Sequence, residues 1–503
     1  MNTRRQVVPA LAALSTALLG AALLGQVAAG GAGAPAAAAT PSSLTFDAQK
    51  YTLGSVVVDG RTVQYRAYEN ILYVTNPVDR KYQSMNVYVP VQYFAGQSVG
   101  GYTASTAPIF LPNEVGGYMP GLPGTPTANM GGDAIRAALA HGYVVASPGA
   151  RGRTGKDASG RFTGKAPAAI VDLKAAVAYL HFNDARMPGN AERIVSNGTS
   201  AGGALSALLG ASGDNRDYQP YLKALGAAPA STAIYAVSAY CPITNLEHAD
   251  AAYEWQFSGV NDYEQLKFAM DTDYKMQRTL VKGTLTAAQI AVSNDLKAQF
   301  IPYLNGLHLR NGAQPLTLDA SGNGTFRTYV ASLIRDSAQK ALDAGTDLSK
   351  VTYLTVKDGR VTDVDFGAYA RSILRMKTPA AFDGLSLENG ENDEFGTATV
   401  AARHFTAYSQ QHTAVPATQA DPLTVKLMNP MAYVQAPGTR TAAHWRIRVG
   451  TADKDTSLAV SAILATTLRA SGRSVDYALP WNVPHSGDYD LPELFRWIDT
   501  AVK

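Results

Sequence analysis

One serine of the chain lies between closely spaced glycines, in the segment Gly198-Thr199-Ser200-Ala201-Gly202. The run RIVSN precedes the segment and the small, apolar run GALSALLG follows it, a pattern typical of a buried strand that turns directly into a helix. On such a turn the serine hydroxyl stands clear of the sheet, where it can attack a carbonyl carbon. The alternative interpretation is an ordinary strand-to-helix turn in which the glycines only permit close packing.

A nucleophilic serine needs a histidine base, and the base needs a carboxylate that orients it. Among the eight histidines of the chain, His485 in PWNVPHSGDYD follows the last predicted strand. Asp453 in RVGTADKDTS follows the strand before it. Ser200, Asp453 and His485 therefore occur in the chain order of an α/β-hydrolase triad, and we predict that they are the catalytic residues.

The oxyanion that forms during attack on an ester requires backbone N–H donors near the carbonyl oxygen. The helix that begins after Ser200 offers the N–H of Ala201. A second donor is expected in the loop after an early strand, and IFLPNEVGGYMPG places Gly116 and Gly117 there. These three residues form the predicted oxyanion hole, although the glycine pair is also compatible with a simple turn before Tyr118.

Neither a metal nor an organic cofactor is predicted from the sequence. Its single cysteine, Cys241, is interpreted as a buried apolar side chain rather than a nucleophile. The histidines lack the spacing of a metal-binding motif such as H-E-x-x-H. The segment LDASGNGTF at Leu318 lacks the spaced acidic ligands and the closing glutamate of a calcium loop, and we interpret it as a turn.

The composition indicates a globular protein without stable nucleic-acid or membrane partners. Hydrophobic residues make up 46 % of the chain, charged residues 17 %, and the formal net charge is +3. This composition favours a large buried core and lacks the basic patch that nucleic-acid binding requires. At the N-terminus, Arg4 and Arg5 precede an apolar stretch and several small-residue cleavage sites. We predict an export signal, and hence a periplasmic or secreted protein, over a membrane anchor.

The predicted elements that position these residues belong to the α/β class. After a hairpin around Asp59-Gly60, the segment SMNVYVPVQYF from Ser84 is predicted as another strand. Strands and helices then alternate up to RIVSNG and again from HWRIRVG onwards, the pattern of a mostly parallel sheet. A long stretch without this alternation lies between the two parts, so we predict one sheet domain with a large inserted lid domain. The predicted segments are 1–40 for export, 41–244 for the first part of the core, 245–423 for the lid and 424–503 for the second part of the core.

Several longer segments resemble the bacterial tannases, which are tannin acyl hydrolases. The resemblance rests on LPNEVGGYMPG, NGTSAGGALSALLG, AYCPITNLEHADAAYEWQF, FDGLSLENGENDEFG, GTADKDTS and PHSGDYD, which are spread over most of the chain. It implies an α/β-hydrolase core with a large inserted lid. It also implies a serine esterase with the triad Ser200, Asp453 and His485, which hydrolyses galloyl esters and depsides of tannins and so takes a small-molecule substrate.

The resemblance further implies that Lys377, Glu391 and Asp455 hold the hydroxyl groups of the galloyl ring. Glu388 and Glu394 stay open as alternatives to Glu391, because a small gap would shift the assignment. These residue types suit a ring with three adjacent hydroxyls, since carboxylates accept from phenolic O–H groups and an ammonium donates to their oxygens.

Three other functions share part of this pattern. A feruloyl-type or general carboxylesterase has the same triad but a different acyl pocket. A prolyl-peptidase-like enzyme has a similar serine turn but usually carries a propeller domain, for which too little sequence precedes the sheet. A non-enzymatic binding module on a hydrolase-like scaffold would leave three triad residues at strand ends without a reason.

Overall fold

The computed structural model describes residues 44–128, 131–270 and 276–503. Up to Tyr240 the described chain begins with strands and then alternates strands and helices. The strands are β1 (Thr52–Val58), β2 (Arg61–Leu72), β3 (Ser84–Pro90), β4 (Pro108–Pro112), β5 (Val144–Pro148), β6 (Asn190–Thr199) and β7 (Ala236–Tyr240). The helices are α1 (Gly132–Ala140), α2 (Ala168–Asn183), α3 (Ala201–Ala211) and α4 (Gln219–Leu225).

A second part of the described chain, between Tyr240 and His444, contains helices and short antiparallel hairpins. The helices are α5 (Leu246–Phe257), α6 (Ala287–Gly306), α7 (Thr325–Asp343), α8 (Phe366–Ile373), α9 (Gly390–Glu394), α10 (Ala407–Gln411) and α11 (Pro422–Leu427). The hairpins pair β8 (Asp262–Met270) with β9 (Met276–Thr284), β10 (Arg310–Asn311) with β11 (Gln314–Pro315), and β12 (Leu354–Lys357) with β13 (Arg360–Val364).

The final part adds β14 (His444–Arg448), α12 (Leu458–Ala470), β15 (Ser474–Ala478) and α13 (Leu491–Val502). The central sheet has nine strands in the order β1-β2-β3-β5-β4-β6-β7-β14-β15. The strands from β5 to β15 in this order are parallel to one another, while β1, β2 and β3 are joined antiparallel. The mostly parallel sheet predicted from the sequence is thus confirmed. Since β7 and β14 are neighbours, the stretch between them is an insertion at one point of the sheet.

Burial explains the apolar runs in the sequence. Strands β3, β4, β5 and β7 are buried along their whole length because helices cover both faces of a parallel sheet. Helix α3 is buried at every residue, which accounts for its almost wholly apolar and small side chains. Helix α13 lies at the surface and buries only Leu494, Phe495 and Ile498.

The observed elements follow the predicted ones closely, with one difference at a strand end. The segment SMNVYVPVQYF is predicted as a single strand, but β3 ends at Pro90, and residues Val91–Ala95 form a 3-10 helix. Proline lacks an N–H for the strand ladder, which explains the end of the strand there. The turn interpretation of LDASGNGTF is confirmed, because Asp319 Oδ1 accepts from the N–H groups of Ser321 and Asn323.

The predicted export signal, residues 1–40, lies outside the described residues. Among the helices that the structure does describe, none is long and apolar enough to cross a membrane.

Candidate active site

Ser200 lies on a sharp turn between β6 and α3, with a φ of 58° and a ψ of −123°. This positive φ is strained for a residue with a side chain, and the N–H of Ser200 is held by the carbonyl oxygen of Tyr240 at 2.9 Å. A Cβ on Gly198 would overlap the carbonyl of Gly202, and a Cβ on Gly203 would overlap the carbonyl of Tyr240. The predicted strand–turn–helix context, with glycines where the backbones approach closely, is confirmed.

Asn113 supports this turn from the end of β4, and sequence reasoning missed it. Its Nδ2 atom donates to the carbonyl oxygens of Asn197 and Gly202 and to Oγ of Ser206, each at 3.1 Å. The side chain therefore ties the start of the LPNEVGG loop to both sides of the Ser200 turn. An asparagine directly after a buried strand is the signal that points to such a role.

His485 and Asp453 form a hydrogen-bonded pair at the carboxyl ends of β14 and β15. The Nδ1 atom of His485 lies 2.8 Å from Oδ2 of Asp453, whose side chain is fully buried. The second carboxylate oxygen of Asp453 accepts from the N–H of Asp455 at 2.9 Å. Burial alone would lower the pKa of His485, but the charge and hydrogen bond of Asp453 outweigh burial and raise it.

The loop that carries His485 packs against the strand that carries Ser200. Asn197 Nδ2 donates to Asp488 Oδ1 at 2.9 Å, and a Cβ on Gly487 would overlap the hydroxyl of Thr199. The base and the serine are thus held on adjoining loops. Within the described residues the Ser200 hydroxyl makes no hydrogen bond to His485, and such contacts are often long before substrate binds.

Cys241 follows β7 directly and is buried, as expected for the only cysteine of the chain. Its surroundings are more polar than the apolar interpretation implies, because its thiol donates to the carbonyl oxygen of Ser486 at 3.3 Å. Among the described residues, the one close group of potential metal ligands is Cys241, Asp453 and His485, with donor atoms within 4.8 Å of one another. Burial raises the pKa of the thiol, which favours the protonated form.

Gly116 and Gly117 lie exposed in the loop after β4, as predicted. The carbonyl of Gly117 accepts from Arg153 Nε at 2.8 Å, and that of Gly116 accepts from the N–H of Met119 at 2.9 Å. In the described part of the chain, the N–H groups of Ala201, Gly116 and Gly117 make no hydrogen bond. All three amides are therefore available to an anionic oxygen.

Arg153 also joins this loop to the insertion, since its guanidinium pairs with Asp393 on α9. Glu391 lies in the first turn of the same short helix and is half-buried. Burial raises the pKa of Tyr118, and the carboxyl groups of Glu394 and Glu391 add to the rise, so both carboxyls lie near the residue after the glycine pair.

The two alternatives to Glu391 have different surroundings. Glu388 is exposed and turns back to accept from the N–H of Ser386 at 2.8 Å. Glu394 is fully buried, and within the described residues neither of its carboxyl oxygens has a hydrogen-bond partner. Burial raises the pKa of Glu394 well above its usual range, which favours the protonated acid.

Lys377 is half-buried in the insertion, with its Nζ atom 4.0 Å from the ring centre of Phe382. Asp455 is also close to the His485–Asp453 pair, because its Oδ2 atom lies 4.0 Å from Nδ1 of His485. The structure therefore places Asp455 beside the pair, whereas Lys377 lies against Phe382 and Glu391 lies near Tyr118.

Polar side chains of helix α5, which sequence reasoning did not assign, hold the backbone near Phe382 and the backbone near Lys377. Asp250 accepts from the N–H groups of Phe382 and Asp383, at 2.7 and 3.1 Å. Glu254 forms a fully buried ion pair with Arg375, and Arg375 Nε donates to the carbonyl of Lys377 at 2.7 Å. Acidic residues inside the otherwise apolar helix LEHADAAYEWQF are the sequence signal, because charges buried in a core are normally paired.

This arrangement has the parts that acyl transfer requires. A serine lies on a strained turn, a histidine paired with a buried aspartate lies on the adjoining loop, and the N–H of Ala201 at the start of α3 makes no hydrogen bond within the described residues. The carboxyl of Asp455 lies beside the histidine, and the ammonium of Lys377 and the carboxyl of Glu391 belong to the segment between β7 and β14. Such a set can bind an ester whose acyl part carries several hydroxyl groups.

Known proteins with the same fold were found among solved structures. Tannase from Lactobacillus plantarum is 48 % identical, with a TM-score of 0.89, and the match covers 92 % of this chain and 100 % of that one. Tannase from Fusobacterium nucleatum is 50 % identical, with a TM-score of 0.87 and the same coverage. A tannin acyl hydrolase in complex with ethyl gallate is 48 % identical, with a TM-score of 0.87 over 92 % of this chain and 99 % of that one.

A family model described as BD-FAE also matches, over residues 116–294. Among curated proteins none matches the chain. The likeness to the solved structures extends over nearly all of the described residues and confirms the α/β-hydrolase fold. At this identity and coverage the assignment follows directly: the chain belongs to the family of bacterial tannases.

Proposed function

We propose that this protein is a serine esterase that hydrolyses galloyl esters and depsides of tannins and releases gallate. The observation that carries the proposal is the His485–Asp453 pair beside the Ser200 turn, in a chain of the tannase family. The relative solved with ethyl gallate supports a small galloyl ester as substrate.

The first step of the proposed reaction forms an acyl-serine. His485 takes the proton of the Ser200 hydroxyl as its oxygen attacks the ester carbonyl, and Asp453 stabilises the resulting imidazolium. The N–H of Ala201 and that of Gly116 or Gly117 donate to the developing oxyanion. His485 then gives the proton to the leaving alcohol oxygen, and the ester bond breaks.

The second step releases the acid. His485 takes a proton from water, the water oxygen attacks the acyl carbon, and the same oxyanion donors stabilise the second tetrahedral intermediate. Collapse of this intermediate returns the proton to Ser200 and frees gallate. Asp453 favours both steps because its charge and its hydrogen bond to Nδ1 stabilise the imidazolium that each one forms.

Recognition of the ring is assigned to Lys377, Glu391 and Asp455. Glu391 is preferred over its neighbours because Glu388 is exposed, whereas Glu394 is fully buried and its pKa is raised by burial. In this proposal residues 245–423 are the lid that carries Lys377 and Glu391 to the acyl side of Ser200. Residues 1–40 direct export to the periplasm or the medium, which fractionation and N-terminal sequencing of the mature protein would test.

The test compares kcat/KM for methyl gallate, methyl 3,4-dihydroxybenzoate, methyl ferulate and p-nitrophenyl acetate. We expect strong preference for the first two esters, since a site that bonds ring hydroxyls rejects acyl groups that lack them. Preference for the ferulate or the acetate would instead indicate a feruloyl-type or general carboxylesterase. Ser200→Ala should lower kcat by about 10⁶-fold while the variant still binds 3,4-dihydroxybenzoate.

A fluorophosphonate probe separates the enzyme from a non-enzymatic binding module. Wild-type protein should form a covalent adduct on Ser200, located by mass spectrometry of the peptide, and the alanine variant should not. An unlabelled wild-type chain, or near-normal turnover by Ser200→Ala, would refute the assignment.

A further inference from the structure

The hydroxyl of Tyr253 on α5 joins two loops of the active site by three hydrogen bonds. It donates to the carbonyl oxygen of Lys454 at 2.9 Å. It accepts from the N–H of Met376 at 3.0 Å and from the N–H of Lys377 at 3.1 Å. One donor and two acceptor positions are all that a phenolic hydroxyl offers, so the group is fully used by these backbone contacts.

The two loops carry residues on different sides of the proposed acyl pocket. Lys377 belongs to the insertion, whereas Lys454 stands between Asp453 and Asp455 after β14. Tyr253 itself is fully buried, and its ring packs on Phe257 with 4.6 Å between ring centres. A rigid, buried hydroxyl therefore fixes the backbone of Lys377 relative to that of the aspartate loop.

A second link between the same loops lies at the surface. Lys454 Nζ is 3.3 Å from Glu264, whose N–H donates to the carbonyl of Arg375. The side chains of both partners are more than a fifth exposed, and exposed ion pairs contribute little to stability. The buried link through Tyr253 therefore defines the spacing between the backbone of Lys377 and the aspartate loop.

We infer that Tyr253 is a positioning residue that sets the distance between Lys377 and Asp455 and so determines selectivity for hydroxylated acyl rings. The inference rests on the proposed function, in which these two side chains bind the ring. Asp453 has supports of its own, since it is bonded to His485 and to the N–H of Asp455. Loss of the Tyr253 hydroxyl should therefore disturb ring binding more than the general acyl-transfer chemistry.

The test replaces a single oxygen atom, in Tyr253→Phe, and keeps the ring contacts. The readout is the ratio of kcat/KM for methyl gallate to kcat/KM for methyl benzoate, which has no ring hydroxyls. We expect the ratio to fall about tenfold, mainly through the gallate ester, because the three backbone groups lose their common partner. Tyr218→Phe is the matched control, since that buried hydroxyl donates to the carbonyl of Leu427 at 2.8 Å, beyond the far end of α3.

A double-mutant cycle with Lys377→Met distinguishes positioning from general loss of structure. If Tyr253 acts through Lys377, its replacement should change the ratio much less once Lys377→Met is present. A loss of thermal stability caused by Tyr253→Phe would act in both the wild-type and the Lys377→Met backgrounds, so the difference between the two effects still reports positioning.

The outcomes separate the two hypotheses. A wild-type enzyme without preference for the gallate ester would refute the proposed function. A selective wild-type enzyme whose ratio is unchanged in Tyr253→Phe, or falls equally in Tyr218→Phe, would overturn only the inference about Tyr253. Equal losses for both esters would also overturn it, because they would assign the hydroxyl to support of the triad.

Discussion

Arg153 donates from Nε to the carbonyl oxygen of Gly117 at 2.8 Å, and the same guanidinium pairs with Asp393 on the helix that begins with Gly390 and Glu391. One side chain thus connects the proposed oxyanion loop to the proposed ring-binding helix. The side chains of Arg153 and Asp393 are 19 % and 37 % exposed, so the ion pair is only partly shielded from water.

Arg153→Met should therefore weaken catalysis without touching the reacting atoms. The glycine loop would lose the bond that holds its carbonyl, and its amides would be less well aligned with the oxyanion. We expect kcat for methyl gallate to fall by about tenfold, less than the loss from removal of a whole oxyanion donor. Steady-state kinetics measure this, with Arg136→Met as the control, because Arg136 pairs with the exposed Asp133. Unchanged kcat would show that the glycine loop holds its geometry without Arg153.

Asp453→Asn should remove most of the activity and shift its pH dependence. The asparagine cannot stabilise the imidazolium, and we expect kcat to fall by about 10⁴-fold. His485 must be neutral to accept a proton, so kcat/KM rises with pH through its pKa. The carboxylate of Asp453 raises this pKa, and its removal should move the acid limb of the profile to lower pH. An acid limb at the wild-type position would contradict the assignment of His485 as the base.

Lys377→Met, Glu391→Gln and Asp455→Asn should each lower kcat/KM for methyl gallate by about 10- to 100-fold. Hydrolysis of p-nitrophenyl acetate, which has no ring, should change little in the lysine and glutamate variants. Glu388→Gln is the matched control on the same loop, because its side chain is exposed and bonded to Ser386. A larger effect of Glu388→Gln than of Glu391→Gln would move the ring-binding role to Glu388.

Most of the sheet and the order of Ser200, Asp453 and His485 along it could be predicted from the sequence. Strand-length apolar runs and the spaced glycines around Ser200 are local signals, and a parallel sheet brings its carboxyl ends to one edge. The support from Tyr253 and Arg153 could not be predicted. The backbone partners of Tyr253 are more than 100 residues away in the sequence. Arg153 contacts Gly117, 36 residues away, and Asp393, 240 residues away, and no local pattern encodes such pairs.

Glu114, in the proposed oxyanion loop, is close enough to Asp488, in the loop of His485, for the two carboxyl groups to interact electrostatically. It immediately precedes Val115 and the glycine pair. Burial, and then the nearby charge of Asp488, raise the pKa of Glu114 from 4.5 to about 7. The native protein therefore keeps a proton on Glu114 that the unfolded chain releases at lower pH.

Glu114→Gln should make the free energy of unfolding less sensitive to pH. Between about pH 4.5 and pH 7 the native state binds more protons at Glu114 than the unfolded state does. The contribution of Glu114 to the free energy of unfolding of the wild type therefore falls as pH rises across this range. Glutamine has no proton to lose, so the free energy of unfolding of the variant should lack this decrease. Relative to wild type, the variant should be more stable above pH 7 than it is below pH 4.5. Urea unfolding at both ends of the range measures the difference, with Glu192→Gln, an exposed side chain, as control. Parallel pH profiles for wild type and Glu114→Gln would show that Glu114 ionises in the native protein as it does in the unfolded chain.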